Sequence, residues 1–133
     1  MKVSDVEGIG PAYAAKLEKA GVKTSDDLLA KGAKPKGRDE LEKASGISGG
    51  KILEWVNRVD LYRLKGVGSE YSDLLEAAGV DSPTELAHRV PANLVAKMEE
   101  VNKAKKLVRR VPTETMVAGW VAQAKKLPKV VEH

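Results

Sequence analysis

The sequence predicts an all-α chain, a compact bundle of short helices with an internal duplication. Three observations predict it. Apolar residues recur at three- and four-residue spacing, and no stretch alternates as a strand would. Hydroxyl and acidic residues stand where helices would start, and glycines stand where they would stop. One glycine-bracketed phrase is also written twice: "VEGIGPAYAAKLEKAGV", Val6–Val22, returns as "LKGVGSEYSDLLEAAGV", Leu64–Val80.

The repeat keeps register at an offset of 58. Gly8, Gly10, Tyr13, Leu17, Ala20, Gly21 and Val22 meet Gly66, Gly68, Tyr71, Leu75, Ala78, Gly79 and Val80. Trp55 meets Trp120 at an offset of 65, so the second copy holds a seven-residue insertion. The expected division is therefore 1–60 for the first copy and 61–133 for the second with a C-terminal tail.

Each element has a local reason. In both copies the Gly-x-Gly turn opens a helix of about three turns, Pro11–Gly21 and Ser69–Gly79, which its last glycine ends. "TSDD" at Thr24–Asp27 and "SPTE" at Ser82–Glu85 resemble capping boxes, the second with proline at the first helical position. Helices are next expected over Gly37–Gly46 and Pro91–Val108. The last helix of each copy should follow a cap at Ser48 or Thr113 and carry Trp55 or Trp120. "KGAKPKGR", Lys31–Arg38, reads as a loop on its glycine and proline content.

Composition narrows the possibilities. Hydrophobic residues are 42% of the chain, enough for a core, but there is no Phe, so that core must be Leu, Val, Ile and Ala. Without Cys there is no disulfide, thiolate metal site or cysteine nucleophile. "MKVSDVEGIG" turns polar too early for a signal peptide, and no apolar run reaches the ~18 residues of a membrane span. The expectation is a soluble, cytoplasmic protein without membrane contact. Net charge is +4, with +1 in residues 1–60 and +3 in 61–133, an excess that permits an anionic partner without requiring one.

Val3-x-x-Val6-x-Gly8-Ile9-Gly10-x-x-x-Ala14 resembles the helix-hairpin-helix motif, and Leu61-x-x-Leu64-x-Gly66-Val67-Gly68-x-x-x-Ser72 resembles it again. Weaker copies occur at Leu41-x-x-Ala44-x-Gly46-Ile47-Ser48 and, without glycines, at "LVRRVPT". The chain thus resembles two tandem helix-hairpin-helix pairs. It is also similar along nearly its whole length to an uncharacterised family known only as a domain of unknown function. The resemblance implies non-specific contact with the sugar-phosphate backbone, DNA in the first instance.

The chemistry behind that implication is simple. A helix that starts at a glycine turn has unpaired N–H groups and a positive dipole end, and a phosphate oxygen suits both. Two hairpins side by side make a clamp. The same glycines would equally close a hairpin whose amides face water. Candidate contacts are Gly8, Ile9, Gly10 and Lys16 at the first hairpin, and Ser48, Gly49, Gly50 and Lys51 at "SGISGGK", where no acid lies within the stretch. Gly66 and Gly68 are weaker candidates, because Glu70 and Asp73 follow in the first helical turn. Lys34, Lys36 and Arg38 in one basic run, and Arg109 and Arg110 in "KAKKLVRR", could neutralise phosphates or simply face solvent. Tyr13 and Tyr71 read as half-buried packing residues, Trp55 and Trp120 as core anchors, Met98 and Met116 as gap fillers.

No enzyme is expected. His88 and His133 are the only histidines and have no metal-ligand spacing. No strand precedes the Gly-x-Gly turns, so they are not dinucleotide loops. No cofactor, metal or small-molecule substrate is indicated. The leading expectation is a non-enzymatic nucleic-acid-binding module. The alternative is a protein-interaction or scaffold module that does not bind DNA.

Overall fold

The computed structural model describes all 133 residues, as eight α-helices and one 3-10 turn. The only extended pairing is a lone bridge between Lys2 and Thr24. No helix is long and apolar enough to cross a membrane. The chain divides into two units, Met1–Asp60 with Lys129–His133, and Leu61–Pro128.

In the first unit a 3-10 turn over Val3–Asp5 leads to α1 (Pro11–Lys19), α2 (Ser25–Gly32), α3 (Pro35–Ser45) and α4 (Gly49–Tyr62), whose last two residues belong to the second unit. The buried side chains include Val3, Val6, Ile9, Leu17, Val22, Leu28, Leu41, Ile52, Trp55 and Val56. A fully buried leucine such as Leu17 contributes about 1.5–3 kcal/mol. Pro11 starts α1 because its ring sets a helical φ and the first helical N–H needs no partner there. The start of α2 is a capping box: Asp27 N–H donates to Thr24 Oγ1, and Asp27 Oδ2 accepts from the Thr24 N–H, both at 3.1 Å. The Lys23 N–H donates to the same oxygen. The Lys23 and Thr24 amides, with smaller help from the Thr24 hydroxyl and the Lys31 charge, hold the Asp27 carboxyl below the usual range.

The segment expected to be a loop, Lys31–Arg38, is instead two helix ends joined by Ala33 and Lys34. Pro35 opens α3 rather than breaking the chain. Gly37 lets α3 press onto α2, because a Cβ there would collide with the Lys31 carbonyl. Arg38 is consequently buried, at 6% exposure. Its Nη1 donates to the carbonyls of Gly32 at 2.8 Å and Ala33 at 3.1 Å, where the positive charge opposes the negative end of α2. Its Nη2 donates to the Glu132 carbonyl at 2.7 Å. The tail, which the sequence reading attached to the second copy, belongs here. Val131 is buried, Glu132 N–H donates to Ala33 O at 2.7 Å, and His133 Nε2 lies 2.8 Å from Asn57 Oδ1.

The second unit contains α5 (Ser69–Ala77), α6 (Pro83–Ala87), α7 (Pro91–Lys105) and α8 (Glu114–Lys126). Leu64, Leu74, Leu75, Leu86, Met98, Val117 and Trp120 lie in its core. Ser82 caps α6 through the Glu85 N–H, with Pro83 next, and Thr113 caps α8 through the Met116 N–H. The sequence reading ran α7 to Val108, but it stops at Lys105. Lys106 takes a left-handed conformation at φ 52, and Asn102 holds Val108 by donating to its carbonyl and accepting from its N–H. Met116, expected as a gap filler, is 37% exposed.

Candidate nucleic-acid interface

The first hairpin runs through Gly8, Ile9 and Gly10 into α1. Gly8 has φ +89, a region that glycine enters without penalty. Ile9 is buried and its N–H donates to Val6 O, so it anchors the turn from inside. Gly10 is extended, and a Cβ built on it would meet nothing within 4 Å. No side chain caps α1, so the Ala12 and Tyr13 amides keep an outward, positive helix end.

The second hairpin turns at Gly46, whose φ is 75, and buries Ile47. Here the expectation of bare amides needs correction. Glu42, on α3, reaches across and accepts from the Gly49 N–H at 3.1 Å. The Ser48 hydroxyl accepts from the Lys51 N–H at 3.3 Å. A carboxylate is drawn to a helix N-terminus for the reason a phosphate is. The Gly50 amide remains, with open space at its α-carbon.

The two helix starts share an aromatic pair. Tyr13, in the first turn of α1, meets Trp55 of α4 edge-on, with ring centroids 5.1 Å apart. Lys51 Nζ lies 5.2 Å from the Tyr13 centroid and 5.9 Å from that of Trp55, and Lys16 Nζ lies 5.9 Å from Tyr13. Such distances are within cation–π range. Two exposed lysines from different helices therefore gather on one half-buried tyrosine, beside the open end of α1. Sequence reasoning named both lysines but not their meeting. The signal it could have used is that Tyr13 and Lys51 both stand in the first turn after a hairpin glycine.

The other candidates separate. Lys34 and Lys36 are exposed at the start of α3 and make no ion pair. Arg38 is withdrawn as a contact, because its guanidinium is buried and spent on three carbonyls. Lys31, in the same basic run, donates to Gly21 O at 3.0 Å.

In the second unit Gly66 has φ +90 and Gly68 precedes an uncapped α5. Lys65 before them is clamped by Gln123, which accepts from its N–H and donates to its carbonyl. Tyr71 packs on Trp120 with centroids 5.3 Å apart and donates its hydroxyl to the Arg110 carbonyl at 3.4 Å. Lys51 stands four residues before Trp55, but Met116 stands four before Trp120, and Glu70 lies in the first turn of α5. The second aromatic pair thus has no lysine against it. Arg109 and Arg110 are exposed, with Arg109 lining a separate cavity.

A family model described as a domain of unknown function, DUF4332, matches residues 7–127. No curated protein and no solved structure matches the chain.

Proposed function

The chain belongs to the DUF4332 family, a membership that assigns no activity, and we propose that its first unit grips the phosphate backbone of duplex DNA. The observation that carries the reading is the convergence of Lys16 and Lys51 on Tyr13 beside the uncapped end of α1. The Ala12, Tyr13 and Gly50 amides would donate to phosphate oxygens, and the two ammonium groups would neutralise neighbouring ones. Such contacts position a duplex but read no bases, so binding is without strong sequence preference. Gly8 and Ile9 shape the turn, and Gly10 leaves room for close approach. Lys34 and Lys36 are available to extend the contact. The reading is non-catalytic.

The same reading makes each unit a helix-hairpin-helix pair, and the two units copies of one plan. The supporting correspondences extend beyond the glycines. At the offset of 58, Gly8 and Gly66 share a left-handed φ, and so do Gly21 and Gly79. Lys31 donates to Gly21 O, and its counterpart Arg89 donates to Gly79 O at 3.1 Å. The tyrosine–tryptophan pair recurs. Gly66 and Gly68 close a hairpin in this reading but are not a principal DNA contact, since Glu70 would repel phosphate.

A protein-interaction role is the second reading. Glu42 on Gly49 and the exposed Met116 favour it.

Fluorescence anisotropy with a labelled duplex at about 50–200 mM salt separates the two. Backbone binding predicts affinity that falls steeply with salt, and a slope smaller by about 0.9 for each of Lys16→Ala and Lys51→Ala. Lys97→Ala, on α7 and already near Glu100, should leave it unchanged. Salt-insensitive binding, no binding, or equal effects of all three variants would refute the proposal.

A further inference from the structure

In the second unit an open cavity of about 810 Å³ lies over the connection from α7 to α8. Leu107, Val108 and Val111 contribute its aliphatic lining, and Lys103, Lys106 and Arg109 contribute cations. The volume is in the range of small-molecule sites. We propose that this cavity binds a small amphipathic organic anion, with one acidic head held by the three cations and an apolar body on the aliphatic floor.

Two observations favour an occupant of this kind. The first is the state of the charges. The side chains of Lys103, Lys106 and Arg109 make no hydrogen bond or ion pair. Glu70 and Glu99 line the same cavity and close on none of them. Three uncommitted cations suit an acidic head, while the two carboxylates oppose a polyanion. A single-headed acid therefore fits better than the nucleic acid expected from "KAKKLVRR".

The second observation is the backbone of Lys106. The chain has six residues at positive φ, and five of them are glycines. The exception is Lys106, at φ 52. A side chain there is strained, and such outliers concentrate at functional sites. Glycine would end α7 more comfortably, but it would remove one of the three cations from the cavity rim. Asn102 secures the floor by its two bonds to Val108, so the site is shaped before anything enters.

The test uses the full chain, labelled for amide nuclear magnetic resonance. Octanoate, octylamine and inorganic phosphate are titrated separately. The expected result is saturable shifts confined to residues around Leu107–Val111 with octanoate, at a dissociation constant on the order of 1 mM. Octylamine should leave these amides unmoved, and phosphate should bind at least about tenfold more weakly, because it has nothing for the floor. Lys106→Gly relieves the backbone, so it should raise the melting temperature while weakening octanoate about tenfold. Arg109→Gln should weaken octanoate without changing stability. No saturation by about 10 mM octanoate, octylamine or phosphate matching octanoate, or Lys106→Gly and Arg109→Gln both binding as tightly as the parent would each overturn the proposal.

Discussion

Replacing Arg38 with methionine should detach the tail and leave the proposed DNA-binding face alone. The guanidinium makes three hydrogen bonds, at 2.8, 3.1 and 2.7 Å, to the carbonyls of Gly32, Ala33 and Glu132. A hydrogen bond involving a charged group contributes about 1.5–3 kcal/mol. The three do not simply add, because they share one donor group and two lie on adjacent carbonyls. Methionine also retains much of the apolar stem. A loss of about 2–4 kcal/mol results, large against the stability of a small unit. Urea unfolding in a Trp120→Phe background, where Trp55 is the one tryptophan left, reads this loss from the first unit. Hydrogen exchange at the Glu132 amide, which donates to Ala33 O at 2.7 Å, reads release of the tail. Duplex affinity of the folded fraction should match the parent. A loss below about 1 kcal/mol with Glu132 still protected would refute the bonding argument. A fall in affinity like that of Lys51→Ala, at unchanged stability, would return Arg38 to the interface.

Two further predictions concern the hairpin and the α2 cap. Gly8→Ala should cost about 1–2 kcal/mol because φ is +89. Gly10→Ala, at φ −81 with open space around it, should leave stability within about 0.5 kcal/mol yet weaken duplex binding, and thermal melts beside anisotropy will show whether the two effects separate so. The folded pKa of Asp27 is lowered, so its stabilising effect is present above the unfolded value and fades as pH falls below about 4. Melts of the parent and Asp27→Asn should therefore differ near neutrality and converge in acid; a constant gap would contradict the cap assignment.

The helices were legible because their signals are local. Thr24, Ser82 and Thr113 each announce a helix that begins where they stand, and the bonds they make join residues three apart. Trp55 and Trp120 declared themselves as core residues, and both are buried. The misreadings arose where distant chain segments decide. Gly and Pro in "KGAKPKGR" suggested a loop, but Pro35 sits at a helix start and Gly37 allows a close helix crossing. Nothing near Arg38 in sequence foretells its bond to Glu132, 94 residues on. Lys106 ends α7 without a glycine, so the usual stop signal was missing. The candidate site was half visible. Its lysines and glycines stood in the motif, but Glu42 seven residues before Gly49 and the shared tyrosine ring required the folded chain.

The first unit is discontinuous: the chain leaves it after Asp60 and returns only at Lys129. During synthesis, the second unit has all its residues once Pro128 has emerged, whereas the first still awaits Val131 and the carbonyl that Arg38 holds. On the ribosome, the half begun earlier is thus completed only after the other, and a chain cut short at Pro128 would leave that arginine facing an empty berth.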